Sequence, residues 1–557
     1  MKRGAVLRAA AVLAAFLATG CGSAKSGAGK AATSADGLEF VPKTAIGYVT
    51  VDTDFSDGNW DRARKLGKKF PEYEAQRDKL MTQLNKGGDN KMTFKDDVKP
   101  WLGKDAGAAL VISGGAKSKG HGIIWVASTN DAKAVKALKK GGAKSAETYK
   151  GIKTYSAKDG SYSAIDNGYV VLGDDEATLK LALNTKKDGP SIGDDDTASK
   201  AAKHVGDDSI VALVVGRAGV QSALKTAGKS GQNAMIAKAL KQLNVNDFNG
   251  LALGISPKDR GVALDGWVGS GGKTQLPDDA TPTLLTDLPA TTAVALTGQD
   301  LGGGLEQVLT AVGDSDPKVS SQITQAEAAL GLEKGSLGKA FGGKFSISVS
   351  GSTKPVVALV VENQGSDTKD TLDKLVGVSQ LVGAAPTNLT VKGGSGKQVT
   401  FGSITIAEGT LNDVSIITND PAWLNAWGTG ATLGDSDSYK RVTDEAGVPD
   451  KVGALLYVDP QATATLGESL SKTGLASSLT GKLGSAVSGA TRTTMPGAGA
   501  DGMGDHEMGA MGATPSAADK TVMAKEALTY LGPILFWTQR DGDNLEFHGF
   551  SEITDGK

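Results

Sequence analysis

The sequence predicts an α+β chain built as two tandem related modules, each a mainly antiparallel sheet with helices packed on one face. Three observations lead there. The chain has 557 residues, well past the ~250–300 at which a single core stops growing. Short apolar runs with alternating polar residues, bounded by turn residues, mix with a few helical stretches in no regular strand–helix rhythm, which favours antiparallel pairing over a doubly wound sheet. An ordered series of segments in residues 39–269 also recurs in residues 285–553.

The chain opens like an export signal. Lys2, Arg3 and Arg8 flank the start of an unbroken apolar stretch, Ala9–Leu17, and Ala18-Thr19-Gly20-Cys21 follows with small residues. The apolar run is far short of the ~20 residues that cross a bilayer, so residues 1–20 read as a cleaved lipoprotein signal peptide. Cys21 is the only cysteine in the chain. It stands where lipoprotein processing needs a thiol, and is therefore the expected lipidation site, carrying palmitate-type acyl chains. Ala18 is a mild departure, since leucine is commonest there. With that cysteine used, no disulfide remains. The expected location is the extracytoplasmic face of the cell membrane, with the N-terminal lipid as the membrane contact. Residues 21–38 form the lipidated cysteine and a small, polar, flexible tether, whose length keeps the folded part roughly 20–25 Å from the lipid.

The first module begins with the turn Pro42-Lys43-Thr44-Ala45, a strand over Ile46–Val51, and a helix over Trp60–Leu84. The second begins with Pro289-Ala290-Thr291-Thr292-Ala293, a strand over Val294–Thr297, and a helix over Gly304–Leu330. Trp101-Leu102-Gly103-Lys104 leads into the strand Ala108–Ser113, as Phe341-Gly342-Gly343-Lys344 leads into Phe345–Val349. The strands Ile123–Ala127 and Val356–Val361 follow, then the helices Asp131–Lys140 and Thr368–Val376. Tyr169–Asp175 matches Val414–Asp420, each running into a helix. Ile192–Asp196 matches Leu433–Asp437, and the strand Ser209–Val215 matches Val452–Val458. The final hairpins align without a gap: Leu251-Ala252-Leu253 with Ile534-Leu535-Phe536, and Leu264-Asp265-Gly266-Trp267 with Phe547-His548-Gly549-Phe550. Residues 270–284 are a Gly/Pro/Asp-rich linker. Residues 488–516 break the symmetry with a Gly-, Ala- and Met-rich insertion that has no apolar periodicity and is expected to be disordered.

The Pro-strand-Asp opening, Trp101-Leu102-Gly103-Lys104, and the stretch from Val448-Pro449 to Tyr457-Val458-Asp459 resemble one family. It comprises exported or lipid-anchored proteins of high-GC Gram-positive bacteria that share a domain of unknown function. The resemblance spans most of residues 39–553. It implies no activity, because the family brings no catalytic residues to carry over.

The chemistry points away from most catalysis. Lys plus Arg number 60 against 62 Asp plus Glu, so nothing draws the chain to nucleic acid. His121 sits in a Gly-rich turn before a strand. His204 closes an Ala/Lys-rich helix, where a cation suits the dipole. His548 occupies the slot of Asp265 on an outward strand face. None shows a zinc-ligand spacing, and no Gly-x-Ser-x-Gly elbow is present. Gly302-Gly303-Gly304 opens a helix, but no complete phosphate-loop motif follows, so no nucleotide is expected. Asp194-Asp195-Asp196 reads as helix capping rather than a calcium site. Met503, His506, Met508 and Met511 form the one unusual cluster. Thioether and imidazole suit Cu(I), yet no scaffold fixes them, and they count only as weak metal candidates. No catalytic residue and no cofactor are expected.

The expected function is therefore non-catalytic: a cell-envelope lipoprotein that binds or scaffolds an unknown envelope protein or ligand. One alternative is a carrier of an apolar ligand such as a lipid, which needs a large apolar cavity. Another is a hydrolase with an unrecognised site, which needs converging, pKa-perturbed groups.

Overall fold

The computed structural model describes residues 36–86, 92–113, 119–226, 248–270, 278–303, 339–351, 354–363, 366–377, 384–402, 404–472 and 528–556, with 325, 328 and 331 singly. The expected signal segment, Cys21, most of the expected tether, the expected helix over 304–330 except 325 and 328, and residues 488–516 with Met503, His506, Met508 and Met511 lie outside the described residues.

Valine-, isoleucine- and leucine-rich runs become strands. In the first half these are β1 (Gly47–Asp52), β2 (Leu102–Ser113), β3 (Lys119–Ser128), β4 (Lys144–Tyr149), β5 (Ile152–Ser156), β6 (Tyr162–Asp166), β7 (Tyr169–Gly173), β8 (Val211–Val215), β9 (Phe248–Pro257) and β10 (Gly261–Ser270). The second half gives β11 (Thr292–Gln299), β12 (Lys344–Ser350), β13 (Val356–Glu362), β14 (Thr387–Val391), β15 (Gly394–Phe401), β16 (Ile404–Leu411), β17 (Val414–Thr418), β18 (Ala454–Val458), β19 (Leu531–Asp541) and β20 (Asn544–Ile553).

Two units divide the chain. One holds residues 1–276 and 538–553, the other residues 277–537 and 554–557. In the first, antiparallel pairing runs β4-β5-β6-β7-β3-β2-β1-β8-β9-β10, and β20 pairs with β10. In the second, the order is β14-β15-β16-β17-β13-β12-β11-β18. The strand order of β1–β8 thus recurs in β11–β18.

The expectation of two tandem modules, each with its own sheet, is nevertheless wrong. The described strands form a single 20-stranded sheet, and the fold is mainly sheet. The physical reason is the edge. A hairpin ending each half leaves unpaired N–H and C=O groups on its last strand, and here β10 and β20 satisfy each other from Gly261↔Glu552 to Val268↔Leu545.

Helices are also not confined to one face. On β7 the neighbours Val170 and Val171 point opposite ways, and both are buried. Val171 joins the main core with Phe40, Trp125, Leu179, Leu183 and Trp267. Val170 packs with Trp101, Ala134 and Ala137, the last two from the helix Asp131–Lys140. A strand covered on both faces reads as a continuous apolar run rather than an alternation, and Tyr-Val-Val-Leu-Gly is such a run.

Local rules place the helices. Asn130 caps the helix Asp131–Lys140 by accepting from the Lys133 N–H. Asp175 caps Glu176–Asp188 through Thr178, and Asp195 caps Asp196–Ala202 through Thr197 and Ala198. In the second half Ser436, not an acid, caps Asp437–Ala446. The single helix expected over 60–84 is two, Gly58–Gly67 and Tyr73–Lys86. Pro71 lies between them, where it lacks the N–H that an unbroken helix needs. Among the described residues no helix is long and apolar enough to cross a membrane.

Candidate functional site

The densest polar constellation in the first unit is made where β10 meets β20. Their register sets Asp265 opposite His548 and Trp267 opposite Glu546. Because strand side chains alternate between faces, these four share one face. His204 reaches the same place from just beyond the helix Asp196–Ala202.

Its Nδ1 lies 2.8 Å from Glu546 Oε1, and its Nε2 lies 4.0 Å from Asp541 Oδ2. The His204 ring stacks on the buried indole of Trp267, with centroids 4.9 Å apart and planes 11° from parallel. The Trp267 Nε1–H donates to Asp541 Oδ2 at 3.3 Å. Lys200 Nζ stands 5.6 Å from the same indole ring. His548 Nδ1 is 2.9 Å from Asp265 Oδ1, and its Nε2 is 3.9 Å from Glu546 Oε2. Glu546 therefore sits between two imidazoles, one at each carboxylate oxygen. The three carboxylates and two imidazoles are partly exposed, Lys200 is exposed and Trp267 is buried.

A second group gathers on β3 and at the end of β7. His121 Nδ1 lies 3.1 Å from Asp174 Oδ1 and 3.3 Å from Asp175 Oδ2. Asp175 also accepts from the Thr178 N–H and hydroxyl, each at 2.7 Å, and its carboxyl is held below the usual carboxylate range. Burial opposes that lowering, and the Thr178 hydrogen bonds and His121 outweigh it. His121 lies on β3, opposite Val111, and not in a turn before it.

Four of the described carboxyls are raised, Asp287 by burial and three others more strongly. Burial pushes Asp52, at the end of β1, up to about 7, against the hydrogen bond from the Asp54 N–H and with help from Asp57 and Asp54. Burial lifts Asp105 to about 6 although the Tyr169 hydroxyl donates to it at 3.2 Å. In the second unit, burial and then the nearby Asp373 raise Glu408 to about 7. Lys397, opposite Glu408 on β15, donates to Asp373 Oδ1 at 2.5 Å.

Residues 4–495 match the family described as "Protein of unknown function (DUF3352)". The chain belongs to that family. No curated protein matches it. Similar solved structures include crystal forms III, IV and I of TP0453. They are 12%, 12% and 14% identical, with TM-scores of 0.23, 0.22 and 0.25. They cover 44%, 42% and 44% of this chain and 83%, 81% and 82% of theirs.

Membership in this family brings no reaction with it, so the chemistry rests on the residues. Of the positions singled out in the sequence, the structure brings His204 and His548 to one face, on either side of Glu546. His121 stands in the separate group with Asp174 and Asp175, and Asp195 is a cap. Asp541 and Glu546 had no sequence signal as site residues. Their partners lie hundreds of positions away, and only the β10–β20 register unites them. The usable hint was the alignment of His548 with Asp265.

Proposed function

We propose that this family member is a non-catalytic cell-envelope lipoprotein, exported and held on the extracytoplasmic face of the cell membrane by lipidated Cys21, as in high-GC Gram-positive bacteria. It binds an apolar envelope partner through one face of its sheet. One observation carries the binding reading: strands β8, β9 and β10 carry apolar side chains on both faces. One set, Ala212, Val214, Ala252 and Trp267, is buried in the main core. The other set stays partly exposed and is in register across the strands. Leu213 pairs with Leu253, Val215 with Leu251, and Leu251 with Val268. Phe547 of β20 extends this face opposite Gly266.

A patch of aliphatic side chains in register offers burial worth about 25 cal/mol per Å² to whatever covers it, and larger exposed apolar patches commonly mark interaction sites. The same face supports a lipid acyl chain as a second occupant, because its lining is aliphatic.

Native mass spectrometry of the protein extracted from its own membrane tests this, with Leu253→Ser alongside wild type. The proposal expects a co-purifying species, protein or lipid by its mass, that is depleted in the variant. A wild-type protein that carries no bound species, or one whose cargo Leu253→Ser leaves unchanged, would overturn it.

A further inference from the structure

We propose that His204, Asp541 and Glu546 form a binding site for a divalent transition-metal ion of the zinc class. Each offers a ligand atom, and these atoms all lie within 4.8 Å of one another. Tetrahedral zinc, with bonds of ~2.0–2.2 Å to nitrogen and oxygen, sets its ligand atoms roughly 3.3–3.5 Å apart. With one ring nitrogen of His204 as ligand, the three ligand atoms lie within 4.8 Å of one another, and side-chain adjustments of about 1 Å bring them to that spacing.

The donor set decides the class of ion. An imidazole favours zinc, cobalt, nickel or copper over calcium and magnesium, which prefer all-oxygen shells. Two carboxylates with one neutral imidazole match a charge of +2. The surroundings hold the ligands as metal-site neighbours do. The Trp267 N–H fixes Asp541, the indole face fixes the plane of His204, and His548 stands 3.9 Å from the far oxygen of Glu546. A fourth position remains for water or for His548.

The His121 group is the weaker candidate because Asp175 is already committed to capping its helix. In the proposed site no carboxylate caps a helix. Its ligands come from residue 204 and from the C-terminal hairpin, so the ion would fasten β20 and the turn before it to the helix Asp196–Ala202.

The test is titration of the full-length, chelator-treated protein with Co²⁺ and with Zn²⁺. Visible absorption of bound Co²⁺ and calorimetry for Zn²⁺ are the readouts. Glu546→Gln, His204→Ala and His121→Ala are compared with wild type, and circular dichroism checks each fold. Glu546→Gln keeps the volume of the side chain, so it remains informative if His204→Ala unfolds. The proposal expects one saturable equivalent in wild type, unchanged in His121→Ala, and weakened ~10-fold or more in Glu546→Gln. Absence of saturable binding overturns it. So does binding that Glu546→Gln leaves unchanged, or binding that is lost only with His121 or with residues 503–511.

Discussion

Replacing Trp125 by phenylalanine should cost far less than replacing it by alanine, and the reason lies in what surrounds the ring. Trp125 is fully buried at the centre of the main core. Its indole lies so close over Gly37 and Gly107 that a Cβ at either would fall 2.0 or 2.1 Å from the ring. A tryptophan buries ~150–250 Å², which at ~25 cal/mol per Å² is worth about 4–6 kcal/mol. Trp125→Ala should lose most of that, with a cavity left between two glycines that cannot fill it. Trp125→Phe keeps most of the ring, forfeiting ~1 kcal/mol of buried surface and about as much again for the smaller void. It also removes a penalty, because the buried Nε1–H finds no acceptor among the described residues, and an unpaired buried donor costs ~1–3 kcal/mol. The net effect of Trp125→Phe therefore lies between about −1 and +1 kcal/mol. At ~2–4 °C per kcal/mol for a unit of this size, Trp125→Ala should lower the melting temperature by roughly 10 °C or more and Trp125→Phe by less than about 5 °C. Urea and thermal unfolding followed by near-UV circular dichroism measure both. Equal losses for the two variants would refute the reasoning about the unpaired N–H.

Other perturbations probe other parts of the structure. Cys21→Ala should move the protein from the membrane fraction to the soluble fraction or leave it unprocessed, read by fractionation after a high-salt wash; retention at wild-type level contradicts the lipid anchor. Asp52 has a folded pKa raised to about 7. Its neutral form is the one the fold favours, so its contribution is full below pH ~4 and is lost as pH rises towards 7. Asp52→Asn should thus stabilise the protein by about 1–2 kcal/mol at pH 8, after discounting for partial solvent exposure, and hardly at pH 4; a gain equal at both pH values contradicts this. A Cβ at Gly266 would lie 2.1 Å from the Phe547 ring, so Gly266→Val should destabilise by ~1–3 kcal/mol, and a second change, Phe547→Ala, should recover part of it. Replacing residues 488–516 by a short Gly-Ser link should leave the melting temperature nearly unchanged, since loop closure costs only ~0.6 kcal/mol per doubling of length.

Local features were legible in the sequence, and long-range ones were not. The helix Asp131–Lys140 has the ends the sequence predicts because its signals, Asn130 before it and Gly141-Gly142 after it, are adjacent to it. The caps at Asp175 and Asp195 follow from the same short-range chemistry. Alternation made the hairpins ending at Trp267 and Phe550 readable. Their pairing with each other was not readable, because an apolar alternation states which face a strand buries and not which edge it joins. That gap accounts for the mistaken pair of separate modules. It also accounts for the site: His204, Asp541 and Glu546 become neighbours only through β10 and β20. Pro71 was a visible break that the expected 60–84 helix passed over.

The most direct test of the account is whether β20 belongs against β10, since the sheet, the apolar face and the His204 site all depend on it. Hydrogen exchange of the β10 amides Val262–Val268 in the full chain can be compared with a chain ending at residue 537. The account predicts that β10 falls from the protection of an interior strand to that of an edge strand on truncation, while β1–β3 keep theirs. Unchanged protection across Val262–Val268 would contradict it.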